Sequence, residues 1–248
     1  MQSANQGDLN QQTGGRSNPA SRPLPRMRLC GETALSIEFG DDIHPSINRQ
    51  VHALSHALRA LGEPGILELN PTYRSLFVQY DPWEISYERL LMNIESALAA
   101  ASKERLEPAD ILEIPVCYGR GLGPDLEEVA ARHGLTPESV VALHASPVYD
   151  VVMVGFTPGF PYLSGLDRRL VTPRKEVPRK LVPAGSVGIA DRQTGIYSID
   201  SPGGWQIIGR TPLRLFDPNR NDPFLVKPGD RLRFTPITRD AFESHAHS

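Results

Sequence analysis

Cysteine is nearly absent from this sequence: Cys30 and Cys117 are the two present in 248 residues. They stand far apart, each inside an apolar stretch, which argues against a disulfide framework or a thiolate metal site and leaves them as small core fillers. Also missing is any apolar run near the ~20 residues that a bilayer span requires, and the first residues lack the apolar core of a secretory signal. The chain is therefore expected in the cytoplasm, without a membrane partner. An excess of one charge is missing too. Lys and Arg number 26 against 29 Asp and Glu, for a net charge of −3, so there is no basic footprint for nucleic acid. Catalytic signatures are equally scarce: there is no Gly-x-Ser-x-Gly elbow and no obvious carboxylate pair. His52 and His56 share a helical face at i, i+4 but have no third ligand near them in sequence, and no metal site is expected. No catalytic residue can be named.

What the chain does have is turn chemistry, with 21 Gly and 23 Pro beside an ordinary apolar fraction of 40%. Residues 1–26 are mainly Gln, Asn, Gly, Ser and Pro, too poor in apolar side chains to offset the entropy of ordering, and read as a disordered tail. From 27 the pattern changes. Leu35, Ile37 and Phe39 alternate with smaller or polar residues as in a half-buried strand. Ile47, Val51, Leu54, Leu58 and Leu61 then line one face of a helix from Pro45 to Leu61, stopped by Gly62. Strands at 66–69 and 75–80 flank an Asn-Pro-Thr-Tyr turn, and a helix starts after Ser86 as N-cap. This β-α-β-β-α order suggests a small ferredoxin-like α/β sandwich over 27–107. A charged stretch with Pro108 marks a boundary. The strand from Ile111 to Cys117 either completes the sandwich or opens a second domain over 108–240, before a flexible tail at 241–248. Two short helices follow, one with Pro124 at its first position and one starting at Thr136-Pro137. Short strand candidates at 151–156, 185–189, 195–199, 206–209, 213–216 and 231–235, punctuated by Gly, Pro and Asp, then point to a closed or nearly closed β-barrel. The fold class is α+β.

Three segments carry candidate chemistry. In Val154 to Leu163, Phe156, Phe160 and Tyr162 sit among Pro and Gly, in what reads as neither regular strand nor helix. These rings either plug one end of the barrel or form a wall facing a ligand or partner, with Trp205 beside them. In Pro173 to Pro183, prolines alternate with Arg174, Lys175, Arg179 and Lys180, an extended basic loop that is either a solvated face or a clamp for carboxylate, phosphate or an acidic partner. Gly185-Ser186 and Gly203-Gly204 are plain tight turns or sources of backbone amides for an oxyanion, with Gln193, Tyr197 and Arg210 as convergent polar groups. The Gly119 to Gly123 loop lacks the Gly-Lys-Ser/Thr ending of a phosphate-binding loop, and Asp125, Glu127 and Glu128 after it would repel an anion. His144 reads as an acid or base, or as a satisfied structural histidine.

The ordered series Gly155-Phe156-Thr157-Pro158-Gly159-Phe160-Pro161-Tyr162-Leu163, the Pro-Arg loop, Val182 to Ile189, Gln193 to Tyr197, Ser201 to Trp205 and Ile208 to Pro212 resembles the family of 5-oxoprolinase B subunits, also described as allophanate hydrolase subunit 1 and as a sporulation kinase inhibitor family. The resemblance runs from about Met27 to Ile237. It implies a small N-terminal α/β domain followed by a cyclophilin-like barrel that includes the Ile111 strand. It also implies action with the A and C subunits of 5-oxoprolinase to convert 5-oxo-L-proline, ATP and water to glutamate, ADP and phosphate. ATP is then bound by the assembled complex, and the B subunit does little chemistry alone. On that reading Arg174, Arg179 and Arg210, with amides near Gly185-Ser186 and Gly203-Gly204, bind anionic groups at the junction with the C subunit. The resemblance also leaves a histidine kinase inhibitor and a carboxyltransferase-like module, related to part of urea carboxylase, as alternatives.

Overall fold

The computed structural model describes residues 25–42, 44–102 and 110–245. Most of the expected tail at 1–26 therefore lies outside the described residues, as do 246–248. The chain enters the fold through β1 (Arg26–Leu29), a four-residue edge strand too short to carry a sequence pattern. Arg26 and Arg28 both reach Glu38 on the neighbouring β2 (Ala34–Glu38), at 3.5 and 3.1 Å. α1 (Pro45–Leu61) starts where the His44 ring accepts from the Ser46 amide and stops at Gly62, whose φ of 60° places it in the left-handed region. After β3 (Ile66–Pro71) and β4 (Ser75–Tyr80), α2 (Tyr87–Ala101) is capped by the Ser86 hydroxyl, which accepts from the Arg89 amide. The antiparallel sheet runs β1-β2-β4-β3. Leu54, Leu76, Val78, Leu90 and Ile94 close a core between the sheet and the helices. Each such side chain contributes about 1.5–3 kcal/mol on burial. The edge beside β2 is filled by β1, which precedes it in the chain, and not by a strand following α2.

That following strand, β5 (Ile111–Tyr118), belongs to the second unit. After it come α3 (Leu126–His133), α4 (Pro137–Ala145), β6 (Tyr149–Val154), β7 (Pro161–Ser164), β8 (Arg179–Val182), β9 (Ser186–Ala190), β10 (Gln193–Ile196), β11 (Ser201–Gly203), β12 (Gln206–Arg210) and β13 (Arg231–Pro236). Seven of these strands close a barrel in the order β10-β7-β6-β13-β5-β12-β9, while β8 and β11 pair outside it. All neighbours in the barrel are antiparallel except β13 and β5. Ile114, Val116, Val151, Leu163, Val187, Ile189, Leu232 and Phe234 fill its interior. The two units meet at a seam where the Asn48 side-chain amide on α1 donates to the Val152 carbonyl on β6, at 3.0 Å.

Several expectations are corrected. β7 opens inside the segment read as irregular, because a proline is tolerated as the first residue of a strand, where its missing N–H is not needed. The Pro-Arg segment is not wholly loop, since it yields β8. Residues 213–216 form no strand; only an isolated bridge joins Phe216 to Phe224. α3 begins at Leu126, with Pro124 outside it, and the preceding Asp125 makes no side-chain cap. The tail expected from 241 begins instead within α5 (Arg239–His245), where Phe242 is buried.

Candidate functional site

One face of the barrel carries a hollow of about 310 Å³ lined by Phe156, Phe160, Tyr162, Arg174, Tyr197 and Trp205, with Pro178, Pro202, Gly203 and Gly204. Phe160 is its hub. Almost fully buried, it meets Phe156, Tyr162, Tyr197 and Trp205 at ring-centroid distances of 5.7, 4.9, 5.1 and 5.4 Å, largely edge to face. Each such pair adds about 0.5–1.5 kcal/mol beyond burial, so the wall is rigid. Gly203 is required here: a Cβ at that position would sit 2.1 Å from the Tyr197 hydroxyl oxygen. Burial raises the pKa of Tyr162 and of Tyr197, so both phenols stay neutral; the Arg174 charge opposes the shift in each case. The Arg174 guanidinium stands 6.0 Å from the Trp205 ring centroid. Its ion partner Asp191 is 3.9 Å away with both side chains largely exposed, so its planar fork remains open toward the hollow.

Arg179, five positions further along, has the opposite fate. Its guanidinium binds Asp125 at 2.5 Å, and Lys175 reaches the same carboxylate oxygen at 3.2 Å. The second oxygen of Asp125 accepts from the Ile207 amide on β12. Burial alone would raise the Asp125 pKa, but Arg179, the Ile207 amide and Lys175 together hold it below the usual carboxylate range. Asp125 thus ties the Pro-Arg segment to the barrel wall behind Trp205. Its sequence neighbourhood suggests only the first turn of a helix and hides this role. Three amides of the Gly119 to Gly123 loop are also engaged within the protein: Gly119 donates to the Ile208 carbonyl at 3.1 Å, and Leu122 and Gly123 donate to the Gly119 carbonyl at 2.8 and 3.0 Å.

The remaining candidates lie elsewhere. Gly185 and Arg210 line a second, larger hollow of about 630 Å³ with Asp200, Leu213, Phe216 and Phe242. The Gly185 amide is spent on the Tyr197 carbonyl at 2.6 Å, and Arg210 Nε donates to the Ala184 carbonyl at 2.7 Å. Ser186 is buried in β9 and donates its amide to Pro183 at 3.2 Å, so neither amide of this pair is free for an oxyanion. Gln193 donates to the hydroxyl of Tyr73, on the β3–β4 turn of the N-terminal unit, at 2.5 Å. Tyr73 in turn packs edge-on to Tyr162, with centroids 6.0 Å apart. Nothing in the sequence marks Tyr73 as more than a turn residue, because its partners lie in a distant part of the chain.

His144 resolves as structural. Fully buried, its two ring nitrogens meet the Tyr118 and Thr194 hydroxyls, both at 2.8 Å, and its ring stacks on Phe234. Burial lowers its pKa to about 3, so it stays neutral. His52 is partly buried at the seam, with its pKa lowered by burial. Among the described residues no cluster of three or more His, Cys, Asp or Glu could hold a metal, and no helix is long and apolar enough to cross a membrane.

The family model for the carboxyltransferase domain, subdomain C and D, matches residues 25–226. The 5-oxoprolinase B subunit of Bacillus subtilis (strain 168) is 42% identical over 230 residues, covering 89% of this chain and 96% of that protein. The protein of the same name from Escherichia coli O157:H7 is 44% identical over 221 residues, covering 85% and 95%. Among solved structures, TTHA0988 superposes with a TM-score of 0.76 at 43% identity over 83% of this chain, which spans 40% of that longer chain. Matched over most of its length both by the family model and by these relatives, the chain belongs to the carboxyltransferase domain family, subdomain C and D, and groups there with the B subunits of 5-oxoprolinase.

Proposed function

We propose that the chain acts as the B subunit of an ATP-dependent 5-oxoprolinase and that the aromatic hollow receives 5-oxo-L-proline. The observation that carries this reading is the pairing of Arg174 with a wall of buried rings in a space of about 310 Å³. A five-membered lactam bearing one carboxylate needs an apolar face for the ring and a planar cation for the charge, and the hollow supplies both. Arg179 and Arg210, already bonded elsewhere, serve the frame and not the substrate. Opening the lactam, and the ATP that drives it, belong to the assembly with the A and C subunits. No catalytic group is assigned to this chain. The open side of the hollow is closed by the C subunit, which brings the reacting partner groups to a substrate already oriented.

The separate apolar cores support a division into domains at 27–107 and 108–240. The first is read as a ferredoxin-like sandwich whose edge strand comes from the N-terminal side, the second as a cyclophilin-like barrel, and the assembly as cytoplasmic. The test is reconstitution. ATP-dependent glutamate release from 5-oxo-L-proline is measured with this chain and the A and C subunits, omitting each in turn, and then with Arg174→Gln. The expected result is a requirement for all three chains and a rise of about tenfold in KM for the variant, larger than any fall in kcat. Full activity without this chain would reject the assignment, and an unchanged KM in the variant would reject the hollow as the substrate site.

A further inference from the structure

Resting on that substrate reading, we infer that Phe156 is a specificity-determining contact for the lactam ring, held for this purpose in a backbone conformation that costs the fold stability. The Thr157 amide donates to the Gly155 carbonyl at 2.8 Å, with Phe156 between them at a φ of 66°. This is a three-residue γ-turn of the rare positive-φ kind, which is strained for any residue with a Cβ. Among the described residues the other non-glycine positions of positive φ are Arg120 and Asp191. Asp191 sits in the two-residue β9–β10 hairpin turn, where an aspartate is well tolerated. A phenylalanine has neither that tolerance nor a polar atom to bond its own backbone.

Burial does not reward the arrangement, since Phe156 is 62% exposed. Its surroundings nevertheless enforce it. Gly155 donates to the Phe160 carbonyl at 3.0 Å, and the buried Phe160 donates back to Thr157 at 3.1 Å. On the other side, the Ser198 hydroxyl donates to the Pro158 carbonyl at 2.6 Å and contacts the Thr157 hydroxyl at 3.2 Å. The outcome is an aromatic ring standing edge-on to Phe160, at the rim of the same hollow that holds Arg174 and Trp205. A ring bound between Arg174 and the buried wall would complete the burial that Phe156 lacks in the free protein.

The experiment uses the full chain carrying Trp83→Phe, which removes one of the two tryptophans, itself 95% exposed, and leaves Trp205 as the reporter in the hollow. Trp205 fluorescence is titrated with 5-oxo-L-proline, and thermal midpoints are measured without ligand. Phe156→Gly is expected to raise Tm by about 2–4 °C while weakening affinity at least fivefold. Phe156→Ala, which keeps the strain but loses the ring, should weaken affinity equally without raising Tm, and Phe156→Tyr should restore affinity. Unchanged affinity in Phe156→Gly, or a Tm no higher than that of Phe156→Ala, overturns the assignment of Phe156 alone. No Trp205 response in the parent chain overturns the substrate reading together with it.

Discussion

Among the described residues, the buried polar side chains of the N-terminal unit are those of Asn48 and Ser55, whereas the barrel buries Asp125, His144, Thr172, Thr194 and Gln206, with several serines. Asn48 bridges the two units, donating to Val152 on the barrel and to Thr72 on the β3–β4 turn of its own unit. The interior of the N-terminal unit is thus almost wholly apolar, with its ion pairs, such as those of Arg26 and Arg28 to Glu38, outside that core. The barrel also depends on donors and acceptors that must find one another across the chain, and the hollow is built on that second kind of support. Buried polar groups of this sort contribute little net stability when paired and cost heavily when one partner is lost.

The largest expected effect that would sharpen this contrast is Asp125→Ala. It strands Arg179, Lys175 and the Ile207 amide, and should lower unfolding stability by about 3 kcal/mol, read from the urea midpoint. A loss under about 1 kcal/mol would break the contrast, since the barrel would then tolerate losing a buried carboxylate with three partners. Next in size is an acid effect. His144 has a pKa of about 3 when folded against an ordinary 6.5, so below pH 6.5 the unfolded chain takes up a proton that the folded chain refuses. Stability should fall by about 2 kcal/mol between pH 6.5 and 5 from this residue. His52, also lowered by burial, adds in the same direction. His144→Gln should flatten most of that slope even though it is less stable at neutral pH; an unaltered slope would transfer the effect to the seam. Asp125, lowered from 3.8, contributes its loss only in more acid solution. The smallest effect is Arg210→Gln, which removes the bond to Ala184. It should cost about 1 kcal/mol of stability and leave affinity for 5-oxo-L-proline unchanged, separating the larger hollow from the smaller one.

The same contrast governs what is legible in the sequence. α1 and the Ser86 cap of α2 are readable because helical period and capping chemistry act within a few residues. β7 is hidden by Pro161, β8 by the prolines on either side of it, Pro178 and Pro183, and β11 by its own Pro202 and Gly203. At the site, the rings of Phe160, Tyr162, Tyr197 and Trp205 stand out in the sequence and do converge, as do Arg174 and the Gly203-Gly204 turn. Arg174 and Arg179 look alike in the chain. What separates them is Asp125, 54 residues from Arg179, and no local pattern announces a pairing at that distance. Gly185 and Arg210 mislead for a similar reason, since only the closed barrel shows the Gly185 amide and the Arg210 Nε already engaged.

The parallel pairing of β13 with β5 has a consequence for biosynthesis. The first and last barrel strands to leave the ribosome lie side by side, from Ile111 against Arg231 to Val116 against Pro236. The sandwich can therefore fold while translation continues, whereas the barrel must wait for its final strand, with the edges of β5 and β6 unpaired until then. A nascent chain stalled before Arg231 would leave those two edges without the strand that joins them.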